Sequence, residues 1–395
     1  MILRYIEEKM HEPIITSMLD TDLYKYTMMQ CVLHHYPNTQ VQYRFKCRQS
    51  IDLRSIAEKI KAQVVHYCSL NLQEDELQYL QSFPFFKTDF INYLRNYRLT
   101  ANHVKIETNE NLDISIQGSW LETILFEVPL LAIISELYYH ENFPNATLQQ
   151  ARENLKEKIA LLQQSEYQGL RFSDFGTRRR FSKIWQKEIL ETLKTSLPHQ
   201  FVGTSNLYLA KNLKLKPIGT MAHEFLQAFQ VLAPRLQGSQ NFALNVWLEE
   251  YQDQLGIALT DVLTMDIFLQ EFDRHLAARF KGLRQDSGDP IAWGEKALQH
   301  YQSLGISPHD KTFVFSNGLT FPHAIKIYNH FKDKCQQHFG IGTNLTNDVG
   351  LSPIDIVIKM TQANQHPVVK ISDSPGKIIS EDPKFLEHVK SVFKL

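Results

Sequence analysis

Apolar and polar side chains alternate with a period of two in several short runs near the start of the chain. The runs cover residues 41–46, 104–107 and 113–116. This period places apolar side chains on one face of a β-strand, which is typical of a sheet with one solvated face. Helical patterns over residues 20–33 and 53–68 lie beside these runs. This part of the chain therefore predicts an α/β layer.

From about Glu127 the pattern changes, because short apolar runs now end in polar or glycine residues that precede helix-like segments. The run ends fall at Asp174, Gly203, His223, Asp261, Asp286, Ser316 and Gly342. Their separations are 29, 20, 38, 25, 30 and 26 residues, and one unit of a (β/α)8 barrel uses ~31 residues. Seven ends predict an incomplete or irregular barrel, with its chemistry at the carboxyl ends of the strands. A doubly wound open sheet has similar spacing and is the alternative.

Two apolar runs near the end of the chain, at residues 357–359 and 367–371, look like strands that return to the N-terminal sheet. Residues 372–377, which follow the second run, are typical of a turn. The predicted organisation is an N-terminal α/β sandwich over residues 1–126, a barrel over 127–355, and a returning C-terminal segment over 356–395.

Composition limits the partners and the compartment. The 42 Lys and Arg residues nearly balance the 43 Asp and Glu residues, which argues against a general nucleic-acid surface. The four cysteines form no CxxC pair, so a reducing cytosol fits better than a disulfide framework. Glu7, Glu8 and Lys9 are unlike a signal peptide, and the longest apolar run, residues 128–134, is too short to cross a bilayer. A soluble cytoplasmic protein is expected.

A polar cluster follows the apolar run around Leu283, where Arg284, Asp286, Ser287 and Asp289 lie within six residues. Like charges repel and buried ionic groups lose hydration, so chains tolerate such clusters where a ligand completes them. Asp286 and Asp289 are candidates for holding Mg²⁺ on a polyphosphate. The alternative is a polar turn in which Asp289 caps the next helix.

Two later strand ends combine glycines with hydroxyl and amide side chains, a composition suited to binding phosphate. The first is Ser316, Asn317 and Gly318, and the second includes Gly342 and Thr343. Glycine lets backbone N–H groups approach an anion, and paired phosphate loops occur late in many barrels. Each sequence is also common in ordinary turns.

An aromatic residue and a run of cations follow Asp174. The ring of Phe175 suits a planar heterocycle, and the Arg178 guanidinium suits phosphate oxygens. Arg179 and Arg180 are expected on a solvated helix face. His223 stands at a strand-to-helix junction and is a candidate nucleophile or acid/base group, although a lone histidine is more often structural.

Eight segments together resemble the nicotinate phosphoribosyltransferases, type II phosphoribosyltransferases, in their compact bacterial form. They occur in the family's order from Ser17 to Lys377, and they are SMLDTDLYKYTMMQ, DFGTRRRFS, GTSNLYLA, PIGTMAHEF, GLRQDSGDP, FSNGL, FGIGTN and KISDSPGK. The resemblance implies an irregular α/β barrel beside an N-terminal α/β sandwich that C-terminal strands complete. It implies formation of nicotinate mononucleotide and pyrophosphate from nicotinate and 5-phosphoribosyl-1-pyrophosphate, coupled to ATP hydrolysis, in NAD salvage. A homodimer with composite active sites and Mg²⁺ are implied as well.

The resemblance also implies roles for residues at the matching motif positions. Phe175 would stack on the pyridine ring, with the partner subunit's Tyr24 on its other face, and Arg284 would pair with the nicotinate carboxylate. His223 matches the histidine that ATP phosphorylates transiently. The other implied residues bind the phosphorylated sugar or act beside it: Arg178, Thr204, Asp286 (also a Mg²⁺ ligand), Ser287, Ser316, Asn317, Gly318, Gly342 and Thr343.

Three other functions compete with this interpretation. A nicotinamide-using relative would need an acid acceptor for the amide, whereas nicotinate needs a cation such as Arg284. A metal-dependent hydrolase would use His223, Asp261 and Asp286, but the sequence has no tight metal-ligand spacing such as HxH. The third is a non-catalytic protein that binds a phosphorylated sugar.

Overall fold

A computed structural model describes residues 12–374, 376, 378 and 380–395. Glu7, Glu8 and Lys9, together with Pro375 and Lys377 of the expected turn, lie outside the described residues. The described chain forms two sheets, one antiparallel and one parallel. The predicted domain boundaries at 126/127 and 355/356 stay predictions.

The antiparallel sheet joins the two ends of the chain. Its strands are β1 (Gln40–Cys47), β2 (Val104–Thr108), β3 (Leu112–Ser119), β11 (Ile356–Ala363) and β12 (His366–Pro367). Their order is β12-β11-β1-β3-β2, so the C-terminal strands return to the N-terminal sheet as predicted. Along β1 the more buried and less buried positions alternate, as expected for a strand with one face on the core. The three alternating runs of the sequence all lie in this sheet.

The second sheet contains seven parallel strands. They are β4 (Phe172–Asp174), β5 (Phe201–Thr204), β6 (Lys216–Pro217), β7 (Ile257–Leu259), β8 (Gly282–Gln285), β9 (Thr312–Phe315) and β10 (Gln336–Ile341). Their order is β6-β5-β4-β10-β9-β8-β7, which places the last strand beside the first. Chain order therefore runs around a ring that is open only between β6 and β7. This is barrel topology and excludes the doubly wound alternative, whose strand order reverses at its switch point.

The opening of the ring is narrow, because the Thr220 side-chain oxygen donates a hydrogen bond of 2.9 Å to the Ile257 carbonyl. The curled sheet is thus an irregular barrel, which confirms the predicted fold class. The predicted strand ends also agree with the structure, since Asp286, Ser316 and Gly342 each follow directly on a strand. His223 differs, because it follows β6 by six residues and begins a helix.

Helices surround both sheets. The α-helices are α1 (Leu23–His35), α2 (Ala57–Ser69), α3 (Glu74–Gln81), α4 (Thr88–Asn96), α5 (Trp120–Thr123), α6 (Glu127–Asn142), α7 (Gln149–Leu162), α8 (Lys183–Ser196), α9 (Leu207–Leu213), α10 (His223–Leu232), α11 (Ser239–Tyr251), α12 (Met265–Glu271), α13 (Arg274–Arg279), α14 (Pro290–Ser303), α15 (Phe321–Phe331), α16 (Thr343–Thr346) and α17 (Pro383–Phe393). Short 3-10 helices are Arg54–Ile56, Ala101–His103, Ser165–Tyr167, Thr177–Arg179 and Pro308–Asp310.

The long apolar run of the sequence forms the first half of α6, where residues 128–135 are all buried. A continuous apolar run of this kind is typical of a core helix that neighbours cover on every side. Among the residues that the structure describes, no helix has the length and hydropathy needed to span a membrane. Helix α6 begins at Glu127, which places this carboxylate near the carboxyl ends of the barrel strands.

Candidate functional site

The carboxyl ends of the barrel strands border a cavity of about 310 Å³. Eleven of the thirteen predicted site residues line it: Tyr24, Phe175, Arg178, His223, Arg284, Asp286, Ser316, Asn317, Gly318, Gly342 and Thr343. Parallel strands place their carboxyl ends at one rim, so residues far apart in sequence converge there. Tyr24 lines the cavity of its own chain, and a contribution from a second subunit stays a prediction.

The ring of Phe175 packs against the backbone of β10 at Gly340. A Cβ atom added at Gly340 would lie 2.3 Å from two ring carbons of Phe175, so only glycine lets the ring sit there. The backbone N–H of Phe175 donates to the Ile341 carbonyl at 2.9 Å and extends the contact of β4 with β10. The ring position is therefore set by two neighbouring strands.

We predict that Gly340→Ala displaces the Phe175 ring and destabilises the fold by about 1–3 kcal/mol, as overpacking does in other cores. The measurement is urea unfolding. The double variant Gly340→Ala/Phe175→Ala has no ring to clash with, so its added methyl costs much less than in the single variant. Equal costs in both backgrounds would show that the ring does not occupy this position.

A buried carboxylate holds the turn that presents Phe175 and Arg178. Asp174 accepts hydrogen bonds from Gly176 N (2.8 Å), Gln186 Nε2 (2.8 Å) and Thr204 Oγ1 (2.7 Å). Burial raises the pKa of Asp174 to about 6, although these hydrogen bonds oppose the rise. Thr204 does not line the cavity, and its hydroxyl is directed to Asp174. Its predicted contact with substrate stays a prediction.

The expectation that Arg180 lies on a solvated face is wrong. Its side chain is fully buried and forms hydrogen bonds of 2.7 and 3.0 Å to the two carboxylate oxygens of Asp20, and one of 2.7 Å to Glu136. These acids come from segments far away in sequence, so no local pattern reveals them. Arg179 is also mostly buried and pairs with Asp355 at 2.8 Å. Arg180 is therefore structural, whereas Arg178 lines the cavity.

We predict that Arg180→Met destabilises the protein by about 3–5 kcal/mol, because Asp20 and Glu136 lose the cation that compensates their burial. Urea unfolding measures this change. The matched control is Arg54→Met, which removes an exposed ion pair with Asp52 and leaves the free energy of unfolding nearly unchanged. Equal unfolding free energies for wild type and Arg180→Met would contradict the assignment.

His223 lies at the centre of a chain of charged groups. Its Nε2 is 2.9 Å from Asp261 Oδ1 and 3.5 Å from Asp286 Oδ2. Asp261 accepts a second hydrogen bond, of 2.8 Å, from Lys370 Nζ. His223 is also the first residue of α10, where unpaired N–H groups and the helix dipole favour negative charge. The position thus suits a side chain that acquires an anionic group.

Burial and the Lys370 charge lower the pKa of His223 to about 4, against the opposing effect of Asp261. The imidazole is therefore neutral at pH 7, with one nitrogen lone pair available. Burial would raise the pKa of Asp261, but His223 and Lys370 hold it well below its ordinary value. With Nε2 donating to this carboxylate, Nδ1 is the nitrogen that keeps its lone pair.

Arg284 enters the cavity from the end of β8. Its Nη1 donates to the Met221 carbonyl at 3.4 Å, and its Nη2 lies 3.8 Å from Asp286. Its Nε is buried without a hydrogen-bond partner among the described residues. A guanidinium with so few close partners retains donors for a planar anion such as a carboxylate.

Ser287 does not line the cavity. Its hydroxyl accepts a hydrogen bond of 3.1 Å from Asp373 N, and Gly288 N donates to Ser374 Oγ at 2.9 Å. These contacts fasten the segment after β12 onto the loop after β8. The predicted role of Ser287 at the ribose stays a prediction.

The two predicted phosphate loops lie side by side. Asn344 Nδ2 donates to the carbonyls of Gly318 and Leu319, both at 3.0 Å, and so ties the loop after β10 to the loop after β9. Ser316 Oγ donates to Asp286 Oδ1 at 3.0 Å, which ties the loop after β9 to the loop after β8. Gly318 has φ of +59°, a left-handed conformation that favours glycine.

Three potential metal ligands, on His223, Asp261 and Asp286, lie within 4.8 Å of one another. Asp261 already accepts hydrogen bonds from His223 and from Lys370, so a resident metal would have to displace this lysine. Asp286 is only partly engaged and lines the cavity. The set therefore fits Mg²⁺ held by Asp286 with substrate oxygens better than a resident hydrolytic metal. Asp289, the other candidate, caps α14 through Ala292 N at 2.8 Å.

A buried ionic network that the sequence did not predict lies beside His223. Lys25 Nζ contacts Glu127 at 2.6 Å and Glu224 at 2.5 Å, and Tyr43 OH donates to Glu224 at 2.5 Å. Tyr43, Glu127 and Glu224 line the cavity. Glu224 also lies in the first turn of α10. The network ties α1, β1 and α6 to the helix that begins at His223, so the N-terminal unit helps to position it.

Two lysines of the returning segment, Lys359 and Lys370, also line the cavity and were missed. Each interrupts an apolar run of the sequence, in IVIKM and PVVKIS. A charged residue inside a buried strand pattern is unfavourable unless something compensates it. That signal was present in the sequence, but nothing local connected it to the barrel rim.

Comparisons with known proteins agree with this geometry. The model of the nicotinate phosphoribosyltransferase (NAPRTase) family matches residues 170–395, and the model of its N-terminal domain matches residues 19–135. The nicotinate phosphoribosyltransferase of Acidovorax sp. (strain JS42) is 47% identical over 393 residues, which covers 97% of this chain and 99% of the relative. That of Cupriavidus necator is 46% identical over 387 residues, with 97% and 99% covered.

Solved structures show the same architecture. The nicotinate phosphoribosyltransferase from Vibrio cholerae superposes with a TM-score of 0.93 at 38% identity, covering 97% of this chain and 94% of its own. The enzyme of that name from Porphyromonas gingivalis has a TM-score of 0.91 at 33% identity, covering 97% and 100%. With the family models matched over most of its length, the chain belongs to the nicotinate phosphoribosyltransferase family.

Proposed function

We propose that the protein forms nicotinate mononucleotide and pyrophosphate from nicotinate and 5-phosphoribosyl-1-pyrophosphate, as a step of NAD salvage, with ATP hydrolysed through a phosphohistidine at His223. The observation that carries this proposal is the single cavity that Phe175, Arg284, His223 and the two phosphate loops share. A flat acid and a phosphorylated sugar fit these groups side by side.

In the displacement, the pyridine nitrogen forms a bond to the anomeric carbon while the bond from that carbon to pyrophosphate breaks. The transition state has oxocarbenium character, so positioning and charge stabilisation supply the catalysis. Arg284 pairs with the nicotinate carboxylate, and the Phe175 ring packs on the pyridine. The loops at Ser316 and Gly342 hold the 5′-phosphate through hydroxyl and N–H donors. Mg²⁺, held by Asp286 and substrate oxygens, would neutralise the leaving pyrophosphate.

In the coupled step, His223 Nδ1 attacks the γ-phosphorus of ATP, and the bond to the ADP oxygen breaks. Nε2 keeps its proton and its hydrogen bond to Asp261. This carboxylate therefore offsets the positive charge that develops on the ring. The N-terminus of α10 favours the phosphoryl group. Water later hydrolyses the phosphohistidine and restores the neutral imidazole.

The proposal includes a cytoplasmic homodimer with composite active sites. All four cysteines of the chain are free, which fits a reducing compartment. The resemblance to enzymes of this family supports the dimer.

Steady-state product formation tests the proposed function. Purified protein is incubated with 5-phosphoribosyl-1-pyrophosphate, Mg²⁺ and either nicotinate or nicotinamide, with and without ATP. We expect nicotinate mononucleotide, faster with ATP, and little product from nicotinamide, because its neutral amide cannot pair with Arg284. Preferential use of nicotinamide, or the absence of any nucleotide product, would contradict the proposal.

A further inference from the structure

Lys359 lies in the middle of β11, between apolar residues that are buried against the core. Its neighbours in the antiparallel sheet fix its position, since it pairs in register with Arg44 of β1. Four consecutive residues of this strand, 357–360, line the cavity. The strand thus brings an ammonium group from the C-terminal segment to the barrel rim.

The Lys359 side chain makes no hydrogen bond or ion pair with the residues that the structure describes. The charged groups that face it are Glu127 of α6, Arg178 of the turn after β4, Asp286 of the loop after β8, and Lys370. Two of these groups are cations, so they repel its ammonium group.

The two carboxylates near Lys359 are already compensated by other partners. Glu127 forms an ion pair of 2.6 Å with the buried Lys25. Asp286 accepts a hydrogen bond from Ser316 and lies near Arg284. Lys370 is itself paired with Asp261, whereas Lys359 has no close carboxylate of its own, so an anionic ligand in the cavity would compensate its charge.

We propose that Lys359 binds phosphate oxygens of the phosphorylated sugar substrate and takes up a proton from solvent when that substrate binds. This inference rests on the proposed function, because it assumes that a phosphorylated sugar enters this cavity. The proton comes from water or buffer, and no covalent bond changes.

The protonation of Lys359 in the free protein agrees with this cluster. Burial, together with Arg178 and Lys370, lowers the pKa of Lys359 to about 7, against the opposing effect of Glu127. A lysine with this pKa is about one-tenth protonated at pH 8 and largely protonated at pH 6. Bound phosphate raises the pKa, so proton uptake on binding is large at pH 8 and small at pH 6.

Isothermal titration calorimetry measures the uptake. 5-Phosphoribosyl-1-pyrophosphate with Mg²⁺ is titrated into the full-length protein at pH 6 and pH 8, in buffers of different ionisation enthalpy. The variants are Lys359→Arg, which is always charged, and Lys359→Met, which is never charged. Lys156→Met, an exposed lysine of α7, is the matched control. Thermal unfolding of every variant shows whether it is folded.

At pH 8 we expect wild type and Lys156→Met to take up about 0.9 proton per site more than Lys359→Arg, from the pKa of about 7. Lys359→Arg keeps its affinity, and Lys359→Met binds at least about tenfold more weakly. Equal uptake by wild type and Lys359→Arg, or unchanged affinity in folded Lys359→Met, would overturn the inference. Wild-type product formation is a separate measurement, so this inference can fail while the proposed function holds.

Discussion

Replacing His223 by Ala is expected to abolish covalent labelling by γ-labelled ATP and to reduce ATP-coupled product formation at least about 100-fold, because the nucleophile for the phosphoryl group is lost. Filter-bound label and nucleotide formation are measured on the same preparation. Product formation without ATP is expected to persist at a low level, since the displacement at the sugar needs no protein nucleophile.

A second histidine, which is partly buried, provides the control for this experiment. Burial lowers the pKa of His338 to about 4, as it does for His223, but His338 lies outside the cavity and contacts Ser173 at 3.0 Å. His338→Ala should retain the label, provided that circular dichroism shows it to be folded. Full labelling of His223→Ala would remove His223 from the mechanism.

Replacing Arg284 by Lys is expected to raise the KM for nicotinate about 10- to 150-fold, which corresponds to the roughly 1.5–3 kcal/mol of a hydrogen bond to a charged group. Lysine keeps the charge but loses the planar pair of donors that a carboxylate accepts. Initial rates over a range of nicotinate concentrations, at saturating 5-phosphoribosyl-1-pyrophosphate, measure this change.

The structure offers a matched arginine for comparison. Arg279 is partly exposed, pairs with Asp253 at 2.8 Å and does not line the cavity. Arg279→Lys should leave the KM for nicotinate unchanged. If Arg284→Lys behaves in the same way, the carboxylate of nicotinate binds elsewhere.

The barrel was predictable because each parallel strand ends in polar residues that precede a helix. That local signal placed Asp286, Ser316 and Gly342 directly after strands. The spacing of the strand ends suited a barrel, although a doubly wound sheet has similar spacing. The position of the ring opening, between β6 and β7, could not be predicted from the sequence. It depends on a two-residue strand, β6, that is too short to produce a hydrophobic pattern.

The cavity itself was only partly predictable. Residues at strand ends carry their own signal, but Lys25, Lys359 and Lys370 reach the site through tertiary contacts between segments up to several hundred residues apart. Arg180 could not be predicted for the same reason. Its sequence context suggested an exposed cation, but the fold buries it beside Asp20. A sequence pattern shows which face of a helix or strand is apolar. The tertiary fold determines which other element covers that face.

The most direct test of the account is a crystal structure of the protein with nicotinate and a non-hydrolysable analogue of 5-phosphoribosyl-1-pyrophosphate. We expect the pyridine ring on Phe175, its carboxylate on Arg284, and the 5′-phosphate between the loops at Ser316 and Gly342. Nicotinate and the sugar analogue bound in separate cavities, or a pyridine ring remote from Phe175 and Arg284, would contradict it.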